Sequence, residues 1–466
     1  MPSALVPQKQ QDDTATGADA LGLLEAVWQN FADQRTLLRL GGVVTEVSAT
    51  HYRVRGLSAT ARLGDVVEHR SHAGTRSGEI VQIAPDQVLI APFEHSADAG
   101  IGDAVFNRGP FNVAPDISWR GRVVDALGRP LDTAAVLRRG VEIAAGTPAA
   151  LSRQRVGMAL KTGVRVIDIF TPLCFGQRLG IFAGSGVGKS TLLAMLAAAD
   201  AFDTVVVALV GERGREVREF LEDTIGHKNM AKTVAVVSTS NESAMMRKRA
   251  PGTAMRIAEH FRDQGDRVLL VLDSITRFAH ALREVATGSG EHPVARGYPA
   301  SVFTDLPKLL ERAGPGAAGK GSITAVISVL IDGDDHNDPV ADSVRGILDG
   351  HIVLDRAIAE QGRYPPVNPL SSISRLATKA WSDDERALVI KLKSMIARYE
   401  DTRDIRLLGA YQAGVDAELD MAVRQVPLIY EALSQSPKDS ASYDPFGDLA
   451  RHLKNREKPH GVLQAQ

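Results

Sequence analysis

The feature that most constrains the fold is a glycine-rich segment between an apolar run and a helix-forming run. Residues 183–190 read AGSGVGKS, directly after RLGIF and directly before TLLAMLAAA. A strand that leads through such a loop into a helix presents backbone N–H groups and the positive helix end to phosphate oxygens. Ala183 stands where this pattern usually has glycine, but the other features are retained. The segment therefore predicts a phosphate-binding loop rather than a simple turn.

The chemistry of the loop assigns roles to its residues. Its glycines allow backbone N–H groups to converge on phosphate oxygens, and Lys189 supplies a positive charge near the β and γ phosphates. The hydroxyl of Ser190 is a candidate ligand for Mg²⁺. We therefore expect ATP and Mg²⁺ as cofactors. The nucleotide-binding candidates are Gly184, Ser185, Gly186, Val187, Gly188, Lys189, Ser190 and Thr191.

Strands and helices alternate from about residue 111 to residue 380. The apolar runs are RLGIF, TVVVALV, TVAVVST, RVLLVLD, SITAVISVLI and GHIVLD, and helix-forming stretches such as GREVREFLEDTIG and GTAMRIAEHFRDQ separate some of them. Strands that read as unbroken Val, Ile and Leu are buried on both faces, as in a parallel sheet covered by helices. We predict an α/β fold with a parallel sheet for this region.

A segment of short strands precedes this core, and a helical segment follows it. Residues 37–110 contain short β-branched runs broken by Gly and Asp, namely GGVVTEV, HYRVRGL, GEIVQIA, QVLIAPF and GDAVFNRG. Runs at this spacing predict a small β-barrel. Residues 381–466 read as helical, because SDDE at 382–385 matches a capping box. The expected apolar stripe after that box consists of Leu388, Leu392, Met395, Ile396 and Tyr399.

The first 36 residues form a predicted flexible arm. Residues 1–18 are polar and are expected to be disordered. A helix over residues 19–34 would carry Leu21, Leu24, Trp28 and Phe31 on one face. That face either packs on the body of the protein or docks a regulatory protein.

Two acidic residues at the ends of apolar runs are candidates for the chemistry. Asp273 ends RVLLVLD, where its carboxylate can reach the Mg²⁺ shell. Glu212 follows VVVALVG at the carboxyl edge of the sheet, where it can align or deprotonate the attacking water. The alternative for Glu212 is a surface acid paired with Arg213 or Arg215. Arg213 is itself a further catalytic candidate.

Composition excludes several classes of protein. Lys and Arg number 54 against 56 Asp and Glu, so no global field attracts nucleic acid or an acidic membrane. Residues 37–110 hold seven Arg and no Lys against eight acids, which disfavours a basic groove for single strands. The single cysteine, Cys174, excludes an internal disulfide and is expected to be a small buried side chain. No apolar run approaches the ~20 residues of a membrane span, so a cytoplasmic protein is expected.

Several long motifs together resemble the hexameric rotary-type ATPases, and specifically the type III secretion ATPases that include flagellar export ATPases. They are FAGSGVGKS, GERGREV, LLVLDSITRFA, GYPASVFTDLPKLLERAG, DGHIVLDRAIAEQGRYPPV and SSISR, and the likeness runs from about residue 37 to residue 435. The resemblance implies an amino-terminal barrel, a RecA-like P-loop NTPase core and a helical carboxyl-terminal domain. These expectations agree with segments 37–110, 111–380 and 381–466.

The resemblance also implies roles that spacing alone does not give. Glu212 matches the catalytic carboxylate of the family, and Tyr364 matches the tyrosine that stacks on adenine. Arg375 lines up with the arginine finger that enters the neighbouring subunit's site. Because one chain carries both Glu212 and Arg375, a ring of identical subunits would hold complete sites at every interface, and a homohexamer is expected.

The resemblance implies ATP hydrolysis that energises protein export, with the flagellar export apparatus as the preferred setting. The implied partners are a stator-like regulatory protein at the amino-terminal arm, a central stalk protein, the membrane export gate, and exported proteins with their chaperones. No nucleic acid is expected, and the implied location is the cytoplasmic periphery of the inner membrane. The alternatives are an injectisome secretion ATPase, a ring-shaped RNA translocase and a catalytic subunit of a membrane ATP synthase.

Overall fold

The computed structural model describes Gly22, Leu24 and residues 40–72, 74–94, 98–132, 137–140, 149, 151–331 and 338–457. The predicted disorder of residues 1–18 lies outside the described residues, as does the predicted helix at 19–34 except for Gly22 and Leu24, which are helical. The chain divides into two compact units. One contains nearly all of the strand residues between 41 and 110. The other contains the chain from Phe111 onward, together with Ala49–His51 and a short segment that begins at Ala91.

The first unit is a closed barrel of six antiparallel strands in the order β1-β2-β5-β4-β3-β6, which confirms the predicted fold of this region. The strands are β1 Gly41–Val47, β2 Tyr52–Arg55, β3 Asp65–Ser71, β4 Gly74–Ile83, β5 Gln87–Pro92 and β6 Ala104–Pro110. Strand β3 was not among the predicted runs, because two of its three buried positions are Asp65 and His69. Both have polar partners: Asp65 accepts from the Asn107 amide, and His69 Nε2 lies 2.9 Å from Asp103.

The second unit is built on a nine-stranded sheet in the order β19-β18-β10-β17-β13-β11-β12-β7, with β16 paired to β17. All pairs from β18 to β7 are parallel, whereas β19 and β16 add antiparallel edges. The parallel sheet is therefore confirmed. Its strands are β7 Val123–Asp125, β10 Arg178–Ala183, β11 Thr204–Val210, β12 Thr233–Ser238, β13 Arg267–Asp273, β16 Gly314–Pro315, β17 Ser322–Leu330, β18 Gly350–Leu354 and β19 Ile373–Ser374. Two separate two-stranded antiparallel sheets pair β8 Ala159–Leu160 with β9 Leu173–Cys174, and β14 Pro293–Ala295 with β15 Tyr298–Pro299.

Helices connect these strands, and two of them differ from the sequence prediction. The Ala244–Asp263 helix begins eight residues before the predicted stretch, because Ser243 caps it and the helix continues through Pro251. The stretch after Arg213 contains a π-helical segment at Phe220–Ile225. The α-helices are Arg165–Phe170, Lys189–Ala198, Gly214–Glu219, Gly226–Met230, Ala244–Asp263, Ile275–Gly288, Ala300–Leu310, Pro339–Ile347, Arg356–Glu360, Ala377–Ala380, Asp383–Asp401, Arg403–Leu407, Ala417–Leu433 and Pro445–Glu457.

The carboxyl-terminal helices share one hydrophobic core with the sheet. The predicted capping box is confirmed, since Ser382 and Glu385 exchange both hydrogen bonds at the start of the Asp383–Asp401 helix. The predicted stripe is wrong at one position: Leu388 is exposed, and its neighbour Val389 is buried instead. The buried face is therefore centred on Val389, Leu392 and Ile396, and Leu388 lies at its edge. No helix in the described part of the chain is long and apolar enough to cross a membrane.

Candidate active site

The predicted phosphate loop lies between the end of β10 and the helix that begins at Lys189. Gly186 and Gly188 have φ values of 77° and 100°, a left-handed conformation that other residues rarely adopt. Val187, between them, is 3% exposed and packs in the hydrophobic core, so it fixes the position of the loop. The loop therefore presents its backbone at the amino end of a ten-residue helix, a favourable place for phosphate.

Three predicted side chains meet beside this loop. Lys189 Nζ lies 2.5 Å from Asp273 Oδ1 and 3.9 Å from Glu212 Oε1. They come together because β10, β11 and β13 are parallel, so Lys189, Glu212 and Asp273 follow or end strands at the same edge of the sheet. Their side chains are 13%, 18% and 4% exposed, respectively. A largely water-excluded ammonium thus lies between two carboxylates.

The environment of Glu212 suits a proton acceptor. Burial raises the pKa of its carboxyl group above the ordinary value, and the negative charge of Asp273 also raises it, whereas Lys189 and Arg277 lower it. Arg277 is close because Gly211 has no side chain: a Cβ there would lie 3.1 Å from Arg277 Cβ. A carboxylate with a raised pKa is a better base for water than an ordinary glutamate.

The two arginines after Glu212 have other partners. Arg213 Nη1 lies 2.9 Å from Glu216, and Arg215 Nε lies 3.4 Å from Glu219. Each arginine thus pairs with another glutamate, and not with Glu212 as in the alternative interpretation of Glu212 as a surface acid. The Arg213 side chain is 79% exposed. Its catalytic role remains a prediction.

Tyr364 borders an apolar cavity next to the phosphate loop. The cavity has a volume of about 300 Å³. A Cβ on Gly188 would lie 3.8 Å from Tyr364 Cε1, so the tyrosine ring is adjacent to the start of the phosphate-loop helix. An apolar cavity with an aromatic edge is suited to a nucleotide base. The lining residues are Gly188, Thr191, Met195, Tyr364, Pro365, Pro366, Gln435, Ser436 and Pro437.

Arg375 lies near the amino-terminal ends of the parallel strands, whereas this cluster lies at their carboxyl-terminal ends. Its backbone N–H donates to Asp349 O at 2.9 Å, and the Asp349 N–H donates to the carbonyl of Arg178, the first residue of β10. The phosphate loop follows the last residue of the same six-residue strand, which is about 15–20 Å away. The exposed Arg375 side chain is thus placed away from its own chain's phosphate loop.

The donor atoms near the loop fit a magnesium ion. A hydroxyl on Ser190 and a carboxylate on Asp273 are hard oxygen ligands, which Mg²⁺ prefers. Mg²⁺ in nucleotide sites is held by one or two protein oxygens together with substrate phosphates, rather than by a complete protein cage. Accordingly, among the residues that the structure describes, no group of three or more His, Cys, Asp and Glu side chains could hold a metal ion alone.

Sequence reasoning missed several residues at this site. Arg356 Nη2 donates to Ser185 O at 3.2 Å and so braces the phosphate loop. Arg277 faces Glu212, and Gln435, Ser436 and Pro437 complete the apolar cavity. Arg277 lies within the quoted LLVLDSITRFA motif, which was a usable signal. Residues 435–437 gave no signal, because only the packing of the carboxyl-terminal helices brings them to Tyr364.

Comparison with known proteins agrees with this fold. Residues 163–374 match the model of the ATP synthase alpha/beta family nucleotide-binding domain, and residues 381–448 match the type III secretion EscN ATPase C-terminal domain. The chain is 58% identical to a "Flagellum-specific ATP synthase" of Agrobacterium fabrum, over 97% of this chain and 96% of the relative. It is 40% identical to a "Type 3 secretion system ATPase" of Xanthomonas euvesicatoria, over 91% of this chain and 96% of the relative.

A solved structure shows the same architecture. The assembled ATPase EscN from the enteropathogenic E. coli type III secretion system superposes with a TM-score of 0.82 at 40% identity, covering 88% of this chain and 100% of EscN. A second EscN structure, in complex with its central stalk EscO, gives a TM-score of 0.81. On its motifs, its fold and these similarities, the chain belongs to the flagellar and type III secretion branch of the ATP synthase alpha/beta family.

Proposed function

We propose that this protein is a Mg²⁺-dependent ATPase that energises the export of flagellar proteins. The observation that carries the ATPase proposal is the meeting of Lys189, Glu212 and Asp273 beside the phosphate loop. The flagellar setting is supported by relatives at 58% and 59% identity that are both named flagellum-specific ATP synthases.

Each residue of the site has a separate role in hydrolysis. The loop backbone and Lys189 bind the phosphates, and Ser190 and Asp273 would hold Mg²⁺, which when bound neutralises developing phosphate charge. Glu212 accepts the proton of the attacking water. Tyr364 and the apolar cavity receive the adenine ring.

Each site is completed by a second subunit of a homohexamer. Arg375 is exposed and lies near the amino-terminal end of strand β10, whereas its own phosphate loop follows the carboxyl-terminal end. It is therefore available to a neighbouring chain rather than to its own loop. A guanidinium that meets charge on the γ-phosphoryl group contributes about a thousandfold or more to turnover. Mixing Lys189→Ala and Arg375→Ala proteins should restore turnover in mixed rings, because some interfaces then combine an intact loop with an intact arginine. Verified mixed rings without recovery would contradict the shared site.

The proposed partners follow from the same family. They are a stator-like regulatory protein on the amino-terminal arm, a central stalk protein, the membrane export gate, and exported proteins with chaperones. The central stalk is supported by the EscN structure, which contains EscO. The proposed location is the cytoplasmic periphery of the inner membrane, at the export apparatus.

One second function is favoured by a specific observation: the EscN likeness also fits an injectisome ATPase. An RNA translocase has less support. Within the barrel, Arg53, Arg70, Arg76 and Arg108 are each paired with a glutamate or aspartate, which reduces their attraction for phosphates.

The test is Glu212→Gln at the gene's own locus, in a strain with a single export ATPase gene, scored for swimming and for filament protein outside the cell. Lost swimming with filament subunits retained inside, at normal abundance of the variant, supports flagellar export. Glu219→Gln is the matched control, because Glu219 pairs with Arg215 on the surface. Normal swimming and filament secretion in the Glu212→Gln strain would contradict the flagellar function and favour the injectisome.

A further inference from the structure

One buried amide lies directly beneath the segment that carries Arg375. The side chain of Gln177 is fully buried, at 0% exposure. Its Oε1 accepts from the Cys174 N–H at 2.9 Å. Its Nε2 donates to Asp349 O and to Ser374 Oγ, both at 3.2 Å. All polar atoms of this amide are therefore used, and one of its partners immediately precedes Arg375.

The same carbonyl that Gln177 contacts also holds the backbone of Arg375. Asp349 O accepts from both Gln177 Nε2 and the Arg375 N–H, the latter at 2.9 Å. Gly350 permits this approach: a Cβ there would lie 2.5 Å from Ile373 O and 3.4 Å from Gln177 Nε2. Strand β19 has only two residues and lies at the sheet edge, so it depends on such contacts for its position.

We propose that Gln177 is a positioning residue for Arg375, holding the base of the arginine where it can reach the neighbouring subunit's nucleotide. The inference rests on the proposed function, in which Arg375 acts across the subunit interface. A finger displaced by about 1 Å costs up to about a hundredfold in rate. Gln177 is outside the motifs that carry the family likeness, and the three hydrogen-bond partners of its side chain, Cys174, Asp349 and Ser374, are not predicted nucleotide-binding residues.

The first test separates turnover from nucleotide binding. Gln177→Leu removes the amide and should lower kcat about tenfold to a hundredfold, while the KM for ATP and the affinity for a fluorescent ADP analogue stay within about threefold. Ser374→Ala removes only one of the amide's partners and should give a smaller loss of kcat. It also provides a variant that folds if Gln177→Leu does not.

A matched control removes a neighbouring buried hydrogen bond that does not touch the finger. Thr324 is 1% exposed, and its Oγ1 accepts from the N–H of Gly176, next to Gln177. Thr324→Val should therefore perturb the same region with little change in kcat. An equal loss of kcat in Thr324→Val and Gln177→Leu would overturn the proposal.

The second test asks through which residue Gln177 acts. In an Arg375→Ala background, Gln177→Leu should cause no further loss of turnover, because the group that it positions is gone. A further loss as large as in the wild-type background would overturn the proposal, since a structural defect lowers turnover in both backgrounds.

Mixed rings then distinguish the finger from the phosphate loop at the other end of β10. Gln177→Leu protein should regain turnover when mixed with Lys189→Ala protein, and not when mixed with Arg375→Ala protein. The reverse pattern would place the defect in the phosphate loop and overturn the proposal. The Lys189→Ala with Arg375→Ala mixture is the reference: if that pair fails to recover in verified mixed rings, the shared site itself is wrong, and the positioning role that rests on it falls as well.

Discussion

At the scale of single residues, the site depends on how three charges share a partly buried space. Lys189 lies 2.5 Å from Asp273 but 3.9 Å from Glu212, so the ammonium is held mainly by the predicted metal-side acid. Glu212 is left with weaker compensation for its burial. This asymmetry separates the two carboxylates: Asp273 is paired with Lys189 at hydrogen-bond distance, whereas burial raises the pKa of Glu212.

The raised pKa of Glu212 leads to a pH prediction for turnover. Glu212 must be unprotonated to accept a proton from water, so acidification should inactivate the enzyme at a pH above the ordinary glutamate value of 4.5. The measurement is kcat/KM against pH for wild type and Glu212→Gln. The ratio of the two removes the titration of ATP itself, and an acid limb at or below the ordinary value would contradict the prediction.

Asp168 provides a separate prediction about stability. Its buried carboxyl group accepts hydrogen bonds from Thr162 and Gly163, yet burial raises its pKa from 3.8 to about 6. The folded state therefore holds a proton that the unfolded state has already lost between these values. Stability from this group is complete below pH 3.8 and is lost as pH rises through about 6, by about 3 kcal/mol in all.

The measurement compares the free energy of unfolding of wild type and Asp168→Asn from pH 4 to pH 8. The advantage of wild type over the variant should shrink as pH rises, because the asparagine does not titrate. Asp203→Asn is the control: hydrogen bonds from Arg267 lower the pKa of Asp203, so its contribution is lost only as pH falls below about 3.8 and should stay nearly constant over most of this range. A difference between wild type and Asp168→Asn that is independent of pH would contradict the prediction.

At the scale of elements, the sequence predicted best where a strand is buried on both faces. The phosphate loop, Glu212 and Asp273 could be found because each follows or ends an unbroken apolar run of the parallel sheet. Strand β3 was missed because Asp65 and His69 occupy inward positions. Their partners are Asn107 on strand β6 and Asp103 just before it. The sequence analysis placed the start of the Ala244–Asp263 helix too late, because Pro251 resembles a helix boundary. The helix continues through this proline.

The capping box of the Asp383–Asp401 helix gives a prediction at this scale. Ser382 accepts from the Glu385 N–H at 3.2 Å, and the Glu385 carboxylate accepts from the Ser382 N–H at 2.8 Å. Ser382→Ala should lower the free energy of unfolding by about 1 kcal/mol, because it leaves an N–H of the first turn without its acceptor. Amide hydrogen exchange in the first turn should accelerate accordingly. Asp384→Asn is the control, since Asp384 takes no part in the box; equal effects of both variants would contradict the assignment.

At the scale of the second compact unit, the apolar cavity beside Tyr364 and the carboxyl-terminal helices form one packed body. The backbone N–H of Gln435 donates to Tyr364 O at 2.8 Å. The Arg363 guanidinium lies 3.7 Å from the centre of the Tyr430 ring, and Tyr430 Oη donates to Glu400 at 2.6 Å. The sequence could not reveal this connection, because its partners are separated by tens of residues and carry no shared pattern. The segment predicted to bind the base is thereby connected to two helices outside the sheet.

This connection predicts that nucleotide binding stabilises helices that do not touch the phosphates. Amides of the Ala417–Leu433 helix should gain protection from hydrogen exchange when a non-hydrolysable ATP analogue binds, because ordering Tyr364 also orders Arg363 and its stack on Tyr430. Tyr430→Leu removes the ring and should abolish most of that gain while leaving protection of the phosphate-loop helix. Tyr411→Phe is the control, since it removes a hydrogen bond to Asp420 on the same helix and leaves the stack of Arg363 on Tyr430 in place. Protection confined to the phosphate loop in wild type, or equal loss in both variants, would show that the cavity and these helices respond independently.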